Sequence, residues 1–240
     1  MKYAVEHWRR LMPQSMGTLY WQIDDCWPVA SWASIDYFGR WKALHHMARH
    51  FYADLLVSGV EDVRKGTVEI HVTSDRPKTT PAEVRWIATD VRGRTLGGGR
   101  RRVAVPPRKS LRVAVLDLKE ELKAFDPRNL ILWLELRVGG VLMSTNLVLF
   151  GRPKHLELQD PELAADVTAV TRSVFRVRLT AKRPALWAWL EVPGEGARFS
   201  DNFVHVRRGA ALEMTLTLDR PMSLAQLRRK LRVRSLRDTY

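Results

Sequence analysis

Residues 16–44 read MGTLYWQIDDCWPVASWASIDYFGRWKAL and hold four of the chain's nine tryptophans, Trp21, Trp27, Trp32 and Trp41. The opening run Gly17–Ile23, GTLYWQI, is apolar, aromatic and β-branched, and too short for a stable helix, so it predicts a buried strand. On its N-terminal side, Lys2 to Met12 places Ala4, Val5, Trp8, Leu11 and Met12 at helical spacing, with Pro13 as a stop. On its C-terminal side, Arg40 to Tyr52 places Trp41, Leu44, Met47, Ala48 and Phe51 on one helical face. A strand apolar on both faces belongs in a parallel sheet covered by helices, where both of its edges are paired. Helix, strand, helix supplies no second strand, and Tyr20 and Trp21 would stand exposed. The stretch is therefore expected to be the last unit of a (β/α)8 barrel spanning residues 1–53, with the other strands upstream of Met1 or on another polypeptide. Met1 is then expected to be an internal methionine or the edge of a fragment.

Beyond residue 53 the hydrophobic period changes to two. In Thr67 to Thr73, Val68, Ile70 and Val72 alternate with Glu69 and His71. AEVRWIATDV, RRVAVP, SLRVAVLDL and NLILWLELRVGGVLMSTNLVLF follow, separated by the turn signals DVRGRTLGGG, PPRKS and VGG. This rhythm predicts an antiparallel sandwich over 54–150. At GRPKHLELQDPELAAD the alternation lapses, and a second series begins with SVFRVRLTA, ALWAWLEV, NFVHVRRG, LEMTLTLD and KLRVRSL, with PGEGARFSDN as its longest loop. A second sandwich is expected over 151–240. The fold class is mainly β, a barrel fragment followed by two immunoglobulin-like sandwiches. Trp86, Trp133, Trp187 and Trp189 lie within the strand patterns as core or face residues, and Trp187 and Trp189 share a face that could serve as a sugar platform.

Forty basic against 26 acidic residues give a formal net charge of +14, which raises the question of a nucleic-acid partner. The basic clusters Arg92 to Arg102 and Arg228 to Arg237 contain no interleaved aromatic rings of the kind that stack on bases. In the second cluster Leu231, Val233 and Ser235 alternate with Arg232 and Arg234, the pattern of a strand whose charged face protects an edge. No nucleic-acid partner is expected. Cys26 is alone, so no intrachain disulfide can form, and His46 and His50 in HMARH lack the glutamate of a zinc-protease helix. Neither a metal nor any other cofactor is expected. No run approaches the ~20 apolar residues of a membrane span, and the opening lacks a signal-peptide core. No membrane association is expected, and the absent signal places the chain in the cytoplasm, a placement that an internal Met1 loosens.

The order Gly17-Thr-Leu-Tyr-Trp-Gln22, then Asp25, Trp27-Pro28, Ser31-Trp32, Ile35-Asp36 and Gly39-Arg40-Trp41-Lys42, closely resembles the final barrel strand of family 2 glycoside hydrolases of the β-mannosidase type. FSDNF at Phe199 to Phe203 and VRSLRDTY at Val233 to Tyr240 resemble the same family's C-terminal immunoglobulin-like domain. The resemblance implies part of a retaining β-mannosidase acting on terminal β-D-mannosyl residues. Such enzymes use two carboxyl groups roughly 5 Å apart, one as acid and one as nucleophile. In the family both are glutamates on earlier barrel strands, so neither carries over to this chain. Asp24 stands where the family usually has Asn, replacing a donor and acceptor by an acceptor.

Asp24 and Asp25 do not replace the missing pair, because adjacent strand residues point to opposite faces. The resemblance instead assigns Trp21, with Asp25 and Trp27, to a substrate-binding wall, where an indole face meets the C–H side of a sugar ring. Trp21 reads equally well as a core tryptophan, and Trp27 and Trp32 as pins of their loop. Trp41, on a helix face, is expected in the core. The implied partners are a β-mannoside bound through the complete enzyme and an upstream glycosidase chain. A different class of function, a non-catalytic carbohydrate-binding or scaffold module docked to a separate glycosidase, fits the same residues.

Overall fold

A computed structural model describes residues 1–240. The chain divides into two compact units, residues 1–90 with 94–156, and residues 91–93 with 157–240. Both are built on antiparallel sheets, and no helix is long and apolar enough to cross a membrane.

The first unit opens with helix α1 (Lys2–Arg10) and helix α2 (Ala43–Phe51), then strands β1 (Leu55–Asp62), β2 (Thr67–Ser74), β3 (Thr80–Asp90), β4 (Thr95–Val105) and β5 (Lys109–Asp117), helix α3 (Lys119–Phe125), and strands β6 (Leu130–Val138) and β7 (Val141–Leu149). The strands form two sheets, β1-β2-β5 and β4-β3-β6-β7. Leu55, Val57, Val68, Ile70, Val72, Val84, Leu132, Leu134 and Leu136 fill the space between them, as expected of alternating strands with one face inward. The VGG signal becomes the β6–β7 hairpin, in which Gly139 and Gly140 have φ of 57° and 83°, the left-handed pair required by a tight hairpin. Thr95 to Gly99, expected as turn, belongs instead to β4. Gly99 is there because a side chain would collide with the Trp86 indole across the strand pair. Helix α3 was not foreseen, its seven residues being too few to carry a clear period.

The second unit contains β8 (Ala164–Ala169), β9 (Val174–Thr180), β10 (Ala185–Glu191), β11 (Ala197–Phe199), β12 (Val204–Val206), β13 (Ala211–Leu218), helix α4 (Leu224–Lys230) and β14 (Arg232–Arg234). Its sheets are β11-β13-β9-β8 and β12-β10-β14, enclosing Phe175, Val177, Leu179, Ala188, Leu190 and Leu216. FSDNF owes its spacing to Asn202. The buried amide receives the Leu190 N–H and donates to the Leu190 carbonyl, both at 2.9 Å, and so closes the loop onto β10. In the terminal motif the Asp238 carboxylate accepts the Ser235 N–H at 2.6 Å. The long strand expected at KLRVRSL shrinks to three residues, because the capping box of Ser223 and Gln226 starts helix α4 immediately before it. Trp187 meets the His205 ring edge-on and Trp189 stacks on Phe203, so both indoles are half-buried by neighbours on their own sheet.

Two expectations at the N-terminus are corrected. Residues Gly17–Ile23 form no strand; only isolated bridges join Asp24 to Ile35 and Ile35 to Trp41. A strand exists through its neighbours, and here only Ser34 and Ile35 lie beside the segment, their N–H groups reaching the Gln22 and Ile23 carbonyls at its end. Helix α1 also buries only part of its apolar face, Val5 with Met12 beyond its end, and turns two polar side chains inward beside them. Val5, Glu6 and Arg9 are buried, while Trp8 and Leu11 are exposed. The buried polar side chains are satisfied: Glu6 accepts from Asn146 at 2.7 Å and pairs with Lys2 at 2.9 Å. Arg9 donates to the Phe51 and Ala53 carbonyls at 2.7 Å each and to Asp75 at 2.8 Å. These bonds fasten α1 and the end of α2 to the first sandwich.

Candidate functional site

The aromatic stretch is organised around its acidic residues. Asp36 accepts the N–H groups of Phe38 and Arg40, both at 2.9 Å, and the Arg40 side chain at 2.6 Å. Gly39, at φ 76°, makes the reversal possible. The turn returns the chain so that the Lys42 N–H reaches the Ser34 carbonyl at 2.9 Å. The recurring Ile-Asp and Gly-Arg-Trp-Lys spacing thus has a local cause: an aspartate-closed turn that delivers Lys42 next to Asp25.

Asp25 is only 6% exposed. Its Oδ2 receives Lys42 Nζ at 2.8 Å and its Oδ1 receives the Ser31 hydroxyl in a short hydrogen bond. The Lys42 ammonium, then the Ser31 hydroxyl, hold its carboxyl below the usual carboxylate range. Such a group is ionised at neutral pH and has no proton to give a leaving group. Asp24, by contrast, is exposed, and its main-chain carbonyl accepts the Gln22 amide at 3.0 Å. The two aspartates occupy different environments and do not converge on one point.

A second knot lies behind the stretch. Buried Ser34 donates to the Ile23 carbonyl at 2.8 Å, receives Tyr20 Oη at 3.1 Å and sits 3.1 Å from His45 Nδ1. Tyr20 stacks with Tyr52, whose hydroxyl is 3.1 Å from that of Thr18. The sequence offers no sign of Ser34 or Tyr20 as parts of such a knot, and it reads His45, beside His46 and His50, as a surface histidine on a helix rather than a metal ligand. Ser31 and Lys42 were part of the quoted motif, but only the fold shows that both serve Asp25.

The rings point outward. Trp21 is 76% exposed, Trp27 67% and Trp32 69%, with Leu19 at 94% and Ile23 also open. Trp41, expected in the core, is 43% exposed; it precedes α2 and meets the His45 ring at a tilt and the His46 ring edge-on. The structure therefore presents Trp21 and Trp27 as exposed indoles in a segment that also holds buried polar bonds, with Asp25 buried against Lys42 and Ser31. No group of three or more His, Cys, Asp or Glu side chains is placed to hold a metal ion.

A family model described as "Mannosidase Ig/CBM-like domain" matches residues 66–155, and one described as "Ig-fold domain", from mannosidases, matches residues 158–239. Among curated proteins, β-mannosidase A of Neosartorya fischeri is 29% identical over 259 aligned positions, covering 99% of this chain and 27% of that protein. The β-mannosidase of Mus musculus is 31% identical, covering 94% and 26%. The chain thus spans about a quarter of the length of these relatives. The crystal structure of a β-D-mannosidase from Dictyoglomus thermophilum superposes with a TM-score of 0.84 at 22% identity, over 98% of this chain and 28% of that one. An exo-chitosanase from Amycolatopsis orientalis follows at 0.68 and 13%, over 98% and 32%; at such identities the likeness concerns the fold. With both sandwiches matched to mannosidase domains and relatives aligned along nearly all its length, the chain belongs to the family 2 glycoside hydrolases of the β-mannosidase type, as a C-terminal portion.

Proposed function

We propose that this chain is the C-terminal part of a retaining β-mannosidase, that residues 1–53 are the last strand-and-helix unit of its (β/α)8 barrel, and that the whole enzyme releases terminal β-D-mannosyl residues. The observation that carries this reading is the segment Gly17–Ile23, which belongs to no sheet. A sequence with the pattern of a doubly covered strand lies with Leu19, Trp21 and Ile23 in solvent, and Trp8 and Leu11 of α1 face outward as well. Contiguous apolar surface of this kind marks an interface. Neighbouring barrel strands and helices would cover it and supply the hydrogen bonds that a strand requires.

In that setting Trp21 stands near the C-terminal end of its strand, where barrel active sites lie. Its indole offers the flat apolar wall of a mannosyl subsite, and Trp27 extends the wall. Asp25 is a positioning residue: ion-paired to Lys42 and bonded to Ser31, it fixes the loop carrying Trp27. The acid and the nucleophile are glutamates of other barrel strands, and the two sandwiches are accessory domains.

The test is hydrolysis of an aryl β-mannoside by the purified chain, alone and mixed with a polypeptide carrying the remaining barrel strands. Alone, the chain gives no turnover above a mock purification; the mixture forms a complex and turns over. In the complex, Trp21→Ala raises KM at least tenfold. Enzyme-like turnover by the chain alone overturns the proposed division of labour, and failure of the two polypeptides to associate overturns the barrel assignment.

A further inference from the structure

The outward face of the four-stranded sheet in the first unit carries charged side chains that the proposed mannosyl site does not use. Two rows cross it. Arg102 on β4, Glu83 on β3 and Arg137 on β6 stand directly opposite one another, and so do Arg100, Arg85 and Glu135. With strands about 4.8 Å apart, each row spans roughly 10 Å. The first row alternates in sign, the second sets two arginines side by side, and arginines outnumber glutamates four to two.

The members differ in how they are held. Glu83 accepts from Arg85 Nε at 2.5 Å and lies 3.7 Å from Arg102 Nε, beyond hydrogen-bonding range. Arg137 is fixed by Glu135 at 3.0 Å and by the Gly140 carbonyl at 3.0 Å. The Arg102 side chain is 88% exposed. An open cleft of about 650 Å³ lies over Glu83, Arg85, Arg102 and Arg137, bounded by the Gly139-Gly140 turn, a volume in the usual range of ligand sites. Charge placed to protect a sheet edge accounts for arginines on β4, which is an edge strand. It does not account for Arg85 and Arg137, on the inner strands β3 and β6.

The geometry points to a binding site for an acidic oligosaccharide in this cleft. Guanidinium forks match carboxylates in bidentate fashion, and the surplus of positive charge selects an anionic ligand over a neutral one. Glu83 and the second lone pair of the Gly140 carbonyl, which line the cleft, are acceptors for sugar hydroxyls, and Glu135 stands in the neighbouring row. The same two carboxylates repel a densely charged chain, and no aromatic side chain lines the cleft to stack on a base, so nucleic acid fits poorly. A uronate chain, which carries one carboxylate per ring and hydroxyls between, offers carboxylates to the arginines and hydroxyls to the glutamate and the carbonyl. This site is independent of mannoside hydrolysis and of residues 1–53.

The experiment is calorimetric titration of the full chain with an oligogalacturonate at fixed ionic strength, repeated with a neutral manno-oligosaccharide and with single-stranded DNA. Oligogalacturonate binds the wild type, and Arg100→Gln with Arg102→Gln weakens it at least tenfold while leaving Tm unchanged, as both side chains lie at the surface. A charge-matched variant, Arg220→Gln with Arg229→Gln on the second unit, binds as the wild type does. No binding of oligogalacturonate overturns the site. So does an equal loss in both double variants, which would reduce the effect to net charge, and so does equally tight binding of the neutral saccharide or the DNA. Because no turnover is read, the result stands apart from the outcome of the barrel test.

Discussion

Two seven-residue runs of this chain, GTLYWQI at 17–23 and LILWLEL at 130–136, are close in composition and opposite in fate. Leu130 to Leu134 of the second run are all buried, and β6 is hydrogen-bonded to β3 on one side and β7 on the other. Even its outward Trp133 is nearly buried and donates its indole N–H to Thr89 Oγ1 at 2.9 Å. In the first run Leu19 and Trp21 lie in solvent and no ladder forms. Apolar character gives a segment the capacity to be a buried strand. Neighbours on both edges and both faces make it one.

The sharpest way to break this comparison is to truncate equivalent leucines. Leu134→Ala should cost about 2–5 kcal/mol, the range for emptying a well-packed core site, read as a lower denaturation midpoint for the first unit's transition. Next comes Arg9→Ala. It removes three hydrogen bonds from a charged donor, two that tie α1 to the end of α2 and one to Asp75 of the sandwich, and should cost about 2–3 kcal/mol, with protease sensitivity appearing within residues 1–53 before the sandwich is cut. In the second unit, Asn202→Ala leaves both polar backbone groups of Leu190 without their partner and should cost about 1–3 kcal/mol, whereas Asn202→Asp restores only the acceptor and falls between.

A pH experiment sharpens the picture of the aromatic loop. Because the Asp25 carboxyl is held low in the folded chain by Lys42 and Ser31, its contribution is fully present above the unfolded carboxylate value of about 3.9 and is lost as pH falls through the folded value. Tryptophan fluorescence of the loop should change in that acid window, and Asp25→Asn should abolish the transition. The smallest effect belongs to Leu19→Ala, within about 0.5 kcal/mol in this chain. A loss as large as that of Leu134→Ala would mean that the first run is packed after all. With the barrel polypeptide proposed above, the same substitution should weaken association, which turns the contrast between the two runs into a measurement of what neighbouring strands contribute.

The strands were legible wherever a period of two coincided with a turn signal: β2, β3, the β6–β7 hairpin with its Gly139-Gly140 pair, and β9, β10 and β13. Alternation is a property of consecutive residues, and the sequence displays it directly. The family resemblance was legible too, because its motifs are local devices, the Asp36 turn and the Asn202 loop clamp, whose partners lie within 4 and 12 positions along the chain. The sequence did not reveal which side of α1 is buried, since Glu6 and Arg9 are drawn inward by Asn146 and Asp75, 140 and 66 residues away. Nor did it reveal that Asp25 is a buried ion pair, or that arginines of three strands meet over one cleft. Burial, pairing and charge convergence are relations between distant residues. A one-dimensional pattern states which residues are able to enter them, and only the tertiary structure decides which of them do.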